Sequence, residues 1–188
     1  MSQRGQILIV IAVLILVVLL LLAVAVDAGR LYIERARMQR AAHAAADAGI
    51  SVVAEQMVTQ AVARQTLLAA TPSPTGPAVM TATPPLWDVQ AWLTDEDRAA
   101  LVSSSVQAAV IGVAMDYAER NGYDTSDPET ILVSAEYPQA GYTPDDPDIR
   151  TLRFSVIVRR RTIILLAGLL GEEFVELSVE GMSEIPQR

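Results

Sequence analysis

One stretch near the N-terminus constrains the fold of this chain more than any other feature. Residues 7–26 are twenty consecutive residues without a charged or polar side chain. As an α-helix they would be about 30 Å long, the thickness of the hydrocarbon core of a bilayer. A cleaved secretory signal is the alternative, since Ala23-Val24-Ala25 resembles a cleavage site, but the apolar region of a signal is usually only about 7–15 residues long. We therefore predict a retained transmembrane helix over 7–26, preceded by a short basic segment, 1–6.

The helical pattern continues past the apolar run. Good helix formers extend from Asp27 to about Ala70, so we predict an amphipathic, alanine-rich continuation over 27–70 and a rod of roughly 60 residues, about 95 Å long. Small and apolar residues recur at spacings of four and seven, which is typical of helices that pack closely on other helices. Ordinary packing within the domain is the alternative. The predicted helix assembly surface consists of Leu31, Met38, Ala41, Ala45, Gly49 and Val52.

The rest of the chain predicts an α+β fold, in which a helix packs on an antiparallel sheet. Residues 71–93 begin with a proline-rich segment and are predicted as a linker or loop, and 94–188 as a small head domain. Thr94 with three acidic residues after it predicts a helix start, and Asn121-Gly122 predicts the end of that helix. The face expected to be buried consists of Val102, Val106, Ala109, Val110, Val113 and Tyr117.

Three segments alternate between apolar and polar residues and are predicted as strands with one buried face each: 130–137, 152–159 and 175–180. Arginines of the second strand and glutamates of the third are expected to pair across the sheet, as Arg153 and Arg159 with Glu176 and Glu180. Residues 162–170 are predicted as a short buried helix. The alternative is an apolar helix that faces a membrane or a partner, with Arg159, Arg160 and Arg161 near the headgroups.

Composition excludes several functions. The chain has no cysteine and a single histidine, His43, so thiol catalysis and sites that need two imidazoles are excluded. No phosphate-binding or dinucleotide-binding glycine motif occurs. We therefore expect no catalytic, cofactor or metal site, no enzymatic activity and no small-molecule substrate. The acidic loops 124–128 and 145–148 are interpreted as solvated turns, with adventitious calcium as the alternative.

Charge is distributed unevenly along the chain. The formal net charge is −8, and all fourteen basic residues are arginines. Because nucleic-acid binding needs a basic face, the acidic body does not predict a nucleic-acid partner. Arg4 alone precedes the apolar run, whereas Arg30, Arg35, Arg37 and Arg40 follow it. Taken alone, the positive-inside rule would place the C-terminus in the cytoplasm.

The order of these features resembles the TadE/TadG-like Flp (tight adherence) pilus-assembly family, which is type IV pilin-like. The resemblance lies in Arg4-Gly5-Gln6, the apolar run and the segment that follows it, and it extends more loosely to the C-terminal half. The residues that match the family pattern are Asp27, Gly29, Arg30, Tyr32, Gln39 and Asp47.

This resemblance implies a pilin-like protein with its N-terminus inside and its head outside the cytoplasmic membrane, contrary to the arginine count. It also implies leader cleavage between Gly5 and Gln6, although type IV pilins carry glutamate where this chain has Val10. The implied partners are the lipid bilayer around 7–26, other pilin-like subunits or copies of this chain, and the pilus assembly machinery. The implied role is structural. The protein would be either a filament subunit, which would also lie outside the cell, or a minor assembly component. A membrane-anchored extracytoplasmic binding or sensor module is the alternative function.

Overall fold

A single long helix, α1, forms the first third of the protein. The computed structural model describes residues 3–70, 88–139, 151–164 and 174–185. Helix α1 comprises Gln3–Ala70 and is about 100 Å long, without a break where the apolar run ends. This confirms the prediction of a long N-terminal helix followed by a small α+β head. The proline-rich part of the predicted linker, 71–87, lies outside the described residues.

Two shorter helices follow a 3-10 turn at Val89–Trp92. Helix α2 comprises Asp95–Leu101 and helix α3 comprises Ser104–Arg120. The prediction of one continuous helix was wrong, because α2 and α3 meet at an angle of 43°. Ser103 has an extended backbone conformation at the junction, and its hydroxyl lies 3.2 Å from that of Ser105. A run of serines offers such side-chain alternatives to helical hydrogen bonding, which favours a break here.

Both predicted helix ends are confirmed. The Thr94 hydroxyl accepts a hydrogen bond from the Asp97 backbone N–H, and the Asp97 carboxylate accepts one from the Thr94 backbone N–H at 2.9 Å. At the other end Gly122 has a φ of 87°, which is the left-handed conformation that glycine adopts readily. The backbone N–H of Tyr123 then donates to the Ala118 carbonyl at 3.0 Å, and that of Gly122 to Glu119 at 2.8 Å. These two bonds form a Schellman cap.

Removing the Thr94 cap should cost about 1 kcal/mol of unfolding free energy. The hydrogen bonds from Thr94 lower the pKa of Asp97, with Arg64 at 3.0 Å adding to the effect. The stability from this site is therefore present above the ordinary aspartate pKa of 3.8 and decreases as the pH falls below it. We expect T94A to be less stable than the native chain at pH 7, with a smaller difference near pH 3. Denaturant titration at both pH values measures this, and an equal difference would contradict it.

The buried face of α3 is only partly the predicted one. Val110 is fully buried and Val106 is half-buried, but Ala109 and Tyr117 are exposed. The fully buried residues that the prediction missed are Ala114 and Ala118. The buried row follows steps of four residues and ends in alanines because α3 packs against α1, and small side chains let two helices approach closely.

The sheet has the order β1-β2-β3, with both pairs antiparallel. Strand β1 comprises Thr130–Glu136, β2 Leu152–Ile163 and β3 Phe174–Ile185, so β2 and β3 are longer than predicted. The prediction of a short helix over 162–170 was wrong at its start, since Thr162 and Ile163 belong to β2. Residues 165–173 lie outside the described residues.

Arginine–glutamate pairs do form between β2 and β3, but not as predicted. Arg153 contacts Glu184 at 3.0 Å and Arg161 contacts Glu176 at 3.7 Å. The register places Arg159 opposite Ser178, so the residue directly across from Arg159 on β3 is not a glutamate. The expected pairings were therefore wrong in detail because β3 continues to Ile185, beyond the predicted segment.

The core lies between the sheet and the helices. Helix α1 packs against β2 and β3, and α3 packs against both α1 and β1. Phe154 is fully buried, and its ring occupies the space that a side chain on Gly49 would need. At Gly181 an added Cβ would lie 2.2 Å from the carbonyl carbon of Ala42, so glycine permits close contact between β3 and the α1 backbone. The second half of α1 is therefore part of the core of the head.

Candidate membrane anchor and its junction with the head

The apolar half of α1 projects away from the head. Between Ile7 and Val26 every described side chain is exposed except Ala23, which is half-buried. Within the described residues, this is the one unbroken helix long and apolar enough to cross a membrane. About 30 Å of aliphatic helix is far more apolar surface than a soluble monomer leaves in water. The arrangement therefore fits a single-pass anchor.

A group of exposed polar residues follows the anchor directly. Arg30, Arg35, Arg37 and Arg40 are all exposed, and Tyr32 is 76% exposed. Arg30 and Tyr32 fall within about two helical turns of Val26, where the headgroup layer would lie if residues 7–26 fill the hydrocarbon core. Arginine and tyrosine are the side chains expected at that depth, since their polar ends contact phosphates and water while their stems contact lipid.

The predicted helix assembly surface is occupied by the chain's own head. Met38, Ala41 and Ala45 are between 0 and 4% exposed, and Gly49 lies under the ring of Phe154. Leu31 and Val52 are half-buried. For these positions the structure shows the alternative that the sequence left open, packing within one domain. The small side chains bring the head, rather than another rod, close to α1.

The residues that match the family pattern lie on two sides of α1. Gln39 contacts the sheet, because its side-chain amide donates to the Glu180 carbonyl at 2.7 Å. Asp27 is only 5% exposed, although it directly follows the exposed apolar run. Arg30, Tyr32 and Asp47 are exposed, and Gly29 has open space around it. The structure thus does not bring these six residues together into one site.

A charged cluster joins α1 to the sheet above the anchor. Arg160, whose side chain is 21% exposed, lies between three carboxylates. Its guanidinium is 2.6 Å from Glu129, 3.4 Å from Asp127 and 3.6 Å from Glu34 of α1. The ring of Tyr123 lies 5.6 Å from the guanidinium carbon. This Arg160 cluster therefore ties β2, the loop before β1 and α1 together at one level.

Tyr123 completes the Arg160 cluster. Its hydroxyl donates to Glu34 at 3.4 Å. Burial raises the pKa of Tyr123, and the neighbouring negative charge of Glu34 raises it further. The phenol therefore stays protonated and remains a donor to Glu34 throughout the neutral range.

The alternation of residues in β2 is a sequence signal for this cluster. Residues Leu152, Phe154, Val156 and Val158 face the core, so the two-residue period places Arg160 on the same side. An arginine on the inward face of a strand requires carboxylate partners, because burying an unpaired guanidinium is costly. The sequence does not predict which carboxylates these are. Glu34 becomes a partner of Arg160 only because α1 packs on the inward face of the sheet.

The predicted leader site lies near the start of α1. Gly5 and Gln6 fall within its backbone, and Val10 is exposed among the other apolar residues. Cleavage between Gly5 and Gln6 stays a prediction.

The two aspartates of the acidic loop 124–128 have internal partners. Asp124 accepts hydrogen bonds from the backbone N–H and the hydroxyl of Ser126, which lower the pKa of its carboxyl. Asp127 accepts from the backbone N–H of Glu129 and contacts Arg160. Among the described residues no group of three or more histidines and carboxylates is placed to hold a metal ion. The second acidic loop, 145–148, lies outside these residues.

Comparison with known proteins confirms the resemblance over the helix. Residues 5–70 match the model of the Tad family, described as "Putative Flp pilus-assembly TadE/G-like". The match covers the anchor and its continuation in α1, and it ends where α1 ends. No curated protein and no solved structure matches the chain. The family match supports a pilus-related structural role, and the exposed apolar helix fits a membrane anchor of such a protein.

Proposed function

We propose that this chain is a pilin-like structural subunit of a Tad pilus, acting as a filament subunit or as a membrane-anchored minor pilin. The observation that supports it most strongly is the exposed apolar helix of residues 7–26 inside a segment, 5–70, that matches the pilus-assembly family. The head stands outside the cytoplasmic membrane in this proposal, and the N-terminus inside. Assembly would use the apolar half of α1, since the small-residue stripe of the other half is already buried within the head.

Such a subunit would act through the packing of its apolar helix. In the membrane, lipid covers the aliphatic side chains of residues 7–26. In a filament the same side chains would cover one another, so extraction from the bilayer replaces helix–lipid contacts by helix–helix contacts. The continuity of α1 transmits the position of the anchor to the head, because no hinge separates residues 26 and 27.

Leader processing tests this proposal directly. We expect the native protein in sheared surface filaments to start at Gln6, which intact mass and N-terminal sequencing would show. Gly5→Leu should leave the uncleaved chain in the membrane and deplete it from the filaments, because it puts a large side chain directly before the bond proposed to be cleaved. Gly112→Leu is the matched control, since Gly112 has open space in α3, far along the chain from the cleavage site.

Three results of this experiment have different meanings. Protein that starts at Gln6 in filaments supports the subunit role. Protein confined to membranes and starting at Met1 supports an unprocessed assembly component. A soluble protein that starts near Val26 would overturn both forms of the proposal.

A further inference from the structure

The contacts of β2 with α1 show which way the sheet points. Phe154 packs against Gly49, and six residues later Arg160 reaches Glu34. Six strand residues extend about 20 Å, and the fifteen helical residues from Gly49 back to Glu34 extend about 22 Å. Since the two lengths agree, β2 runs alongside α1 and toward the apolar anchor. Ile163, three residues past Arg160, is then about 10 Å closer to the anchor, level with Asp27.

The contacts of β3 lead to the same level independently. Gly181 packs against the Ala42 backbone, and the Glu180 carbonyl accepts from Gln39. Phe174 precedes Gly181 by seven residues, about 23 Å of strand, which corresponds to about fifteen residues of helix. This again places Phe174 level with Asp27, and Phe174 and Ile163 are paired in the register. The paired end of β2 and β3 therefore lies beside the last turn of the anchor.

This end of the sheet is apolar and exposed. Ile163 is 64% exposed, Phe174 41% and Val175 38%. The guanidinium of Arg161 lies 4.8 Å from the centre of the Phe174 ring. An exposed aromatic and two aliphatic side chains beside an arginine are the combination found at the boundary between acyl chains and phosphates. Asp27 at the same level of α1 is 5% exposed, so the packed part of the head extends down to the end of the anchor.

We infer that the paired end of β2 and β3, formed by Arg161–Ile163 and Phe174–Val175, lies in the headgroup layer of the bilayer that holds residues 7–26. The occupant of this apolar surface is lipid, because the surface reaches the level at which the anchor leaves the hydrocarbon. This inference depends on the membrane anchor in the proposed function, but not on the pilus role. In the membrane-held form, the head would be fixed against the bilayer at two places, through α1 and through this sheet end.

Burial of apolar groups, rather than net charge, drives the proposed contact. Arg161 is available to phosphates, but Glu176 lies 3.7 Å from it, and the sequence places Glu172 and Glu173 just before Phe174. Binding should therefore persist on zwitterionic lipid and depend on Ile163 and Phe174. Arg30, an exposed arginine of α1 one turn beyond Asp27, would contact the phosphates around this end.

Depth measurement in a bilayer tests the inference, and the chain is well suited to it because it contains no cysteine. Single variants Ile163→Cys and Phe174→Cys of the full chain would carry a nitroxide label, in nanodiscs of phosphatidylethanolamine and phosphatidylglycerol. Met182→Cys is the matched reference, since Met182 lies on β3 with 40% exposure, close to that of Phe174, but level with the middle of the head. Leu16→Cys reports the anchor itself.

We expect the ratio of oxygen to nickel-chelate accessibility at 163 and 174 to exceed that at 182 severalfold, and to remain below that at 16. Equal ratios at 163, 174 and 182 would overturn the inference while the deep label at 16 upheld the anchor. A label at 16 that is accessible from water would instead refute the anchor itself. A third outcome is line broadening at 163 and 174 that disappears on dilution with unlabelled chain, without a difference in depth. It would show that a second copy covers this surface, and it would also overturn the inference.

Discussion

Replacing Gly181 by alanine is expected to lower the unfolding free energy of the head by about 2–3 kcal/mol. The new Cβ would lie 2.2 Å from the Ala42 carbonyl carbon and 2.4 Å from its oxygen. Both are backbone atoms of α1, so no side-chain rotation can relieve the overlap, and β3 has to move away from the helix. The loss outweighs the gain of about 0.4–1 kcal/mol that alanine brings by restricting the unfolded chain.

Denaturant unfolding in detergent measures this prediction, followed by tryptophan fluorescence, since Trp92 is buried in the head. Gly112→Ala is the control, because an added Cβ there has open space in the middle of α3. That variant should be stabilised by about 0.5–1 kcal/mol through helix propensity. Equal effects of the two alanines would mean that β3 does not approach α1 as closely as the structure shows.

Gly181 also illustrates why part of the fold was predictable and part was not. The alternation of residues in β3 could be recognised from the sequence, and the antiparallel sheet is confirmed. The sequence did not show which part of the chain covers the sheet, because the stripe of Ala41, Ala45 and Gly49 is compatible with any close neighbour. A second helix and a strand with a central glycine both satisfy that pattern. In the structure both kinds of neighbour pack against α1, namely α3 and the sheet, and the contact of Gly181 with Ala42 joins segments about 140 residues apart.

The helix ends were predicted correctly because their causes are local. The Thr94 cap needs only Asp97 three residues later, and the Gly122 cap needs only the preceding turns of α3. The break between α2 and α3 was missed because helical periodicity continues across Val102 and Ser103. The extension of β2 through Ile163 was missed for a different reason. Arg159, Arg160 and Arg161 resemble a polar boundary in sequence, whereas in the sheet they alternate between its two faces.

Replacing Arg160 by methionine should have an effect of similar size, about 2–3 kcal/mol of unfolding free energy. Methionine preserves most of the side-chain volume but leaves Glu34, Asp127 and Glu129 without the cation between them. Removing one partner of a buried ion pair costs about 3–5 kcal/mol, and the partial exposure of this cluster lowers that figure. Arg153→Met is the control on the same strand, since its pair with Glu184 is half-exposed, and it should change stability by less than about 0.5 kcal/mol.

A second substitution distinguishes the loss of the ion pair from a simple loss of packing. Glu34→Gln in the Arg160→Met background removes one of the carboxylates while keeping its shape and its ability to accept from Tyr123. If the electrostatic explanation is correct, the double variant should be more stable than Arg160→Met by about 1 kcal/mol, a coupling typical of contacting charges. If instead the two losses add, Arg160 acts mainly through its contact with the Tyr123 ring. Because Glu34 lies on α1 about 12 Å beyond the apolar run, this coupling also measures how firmly the head is held to the anchor.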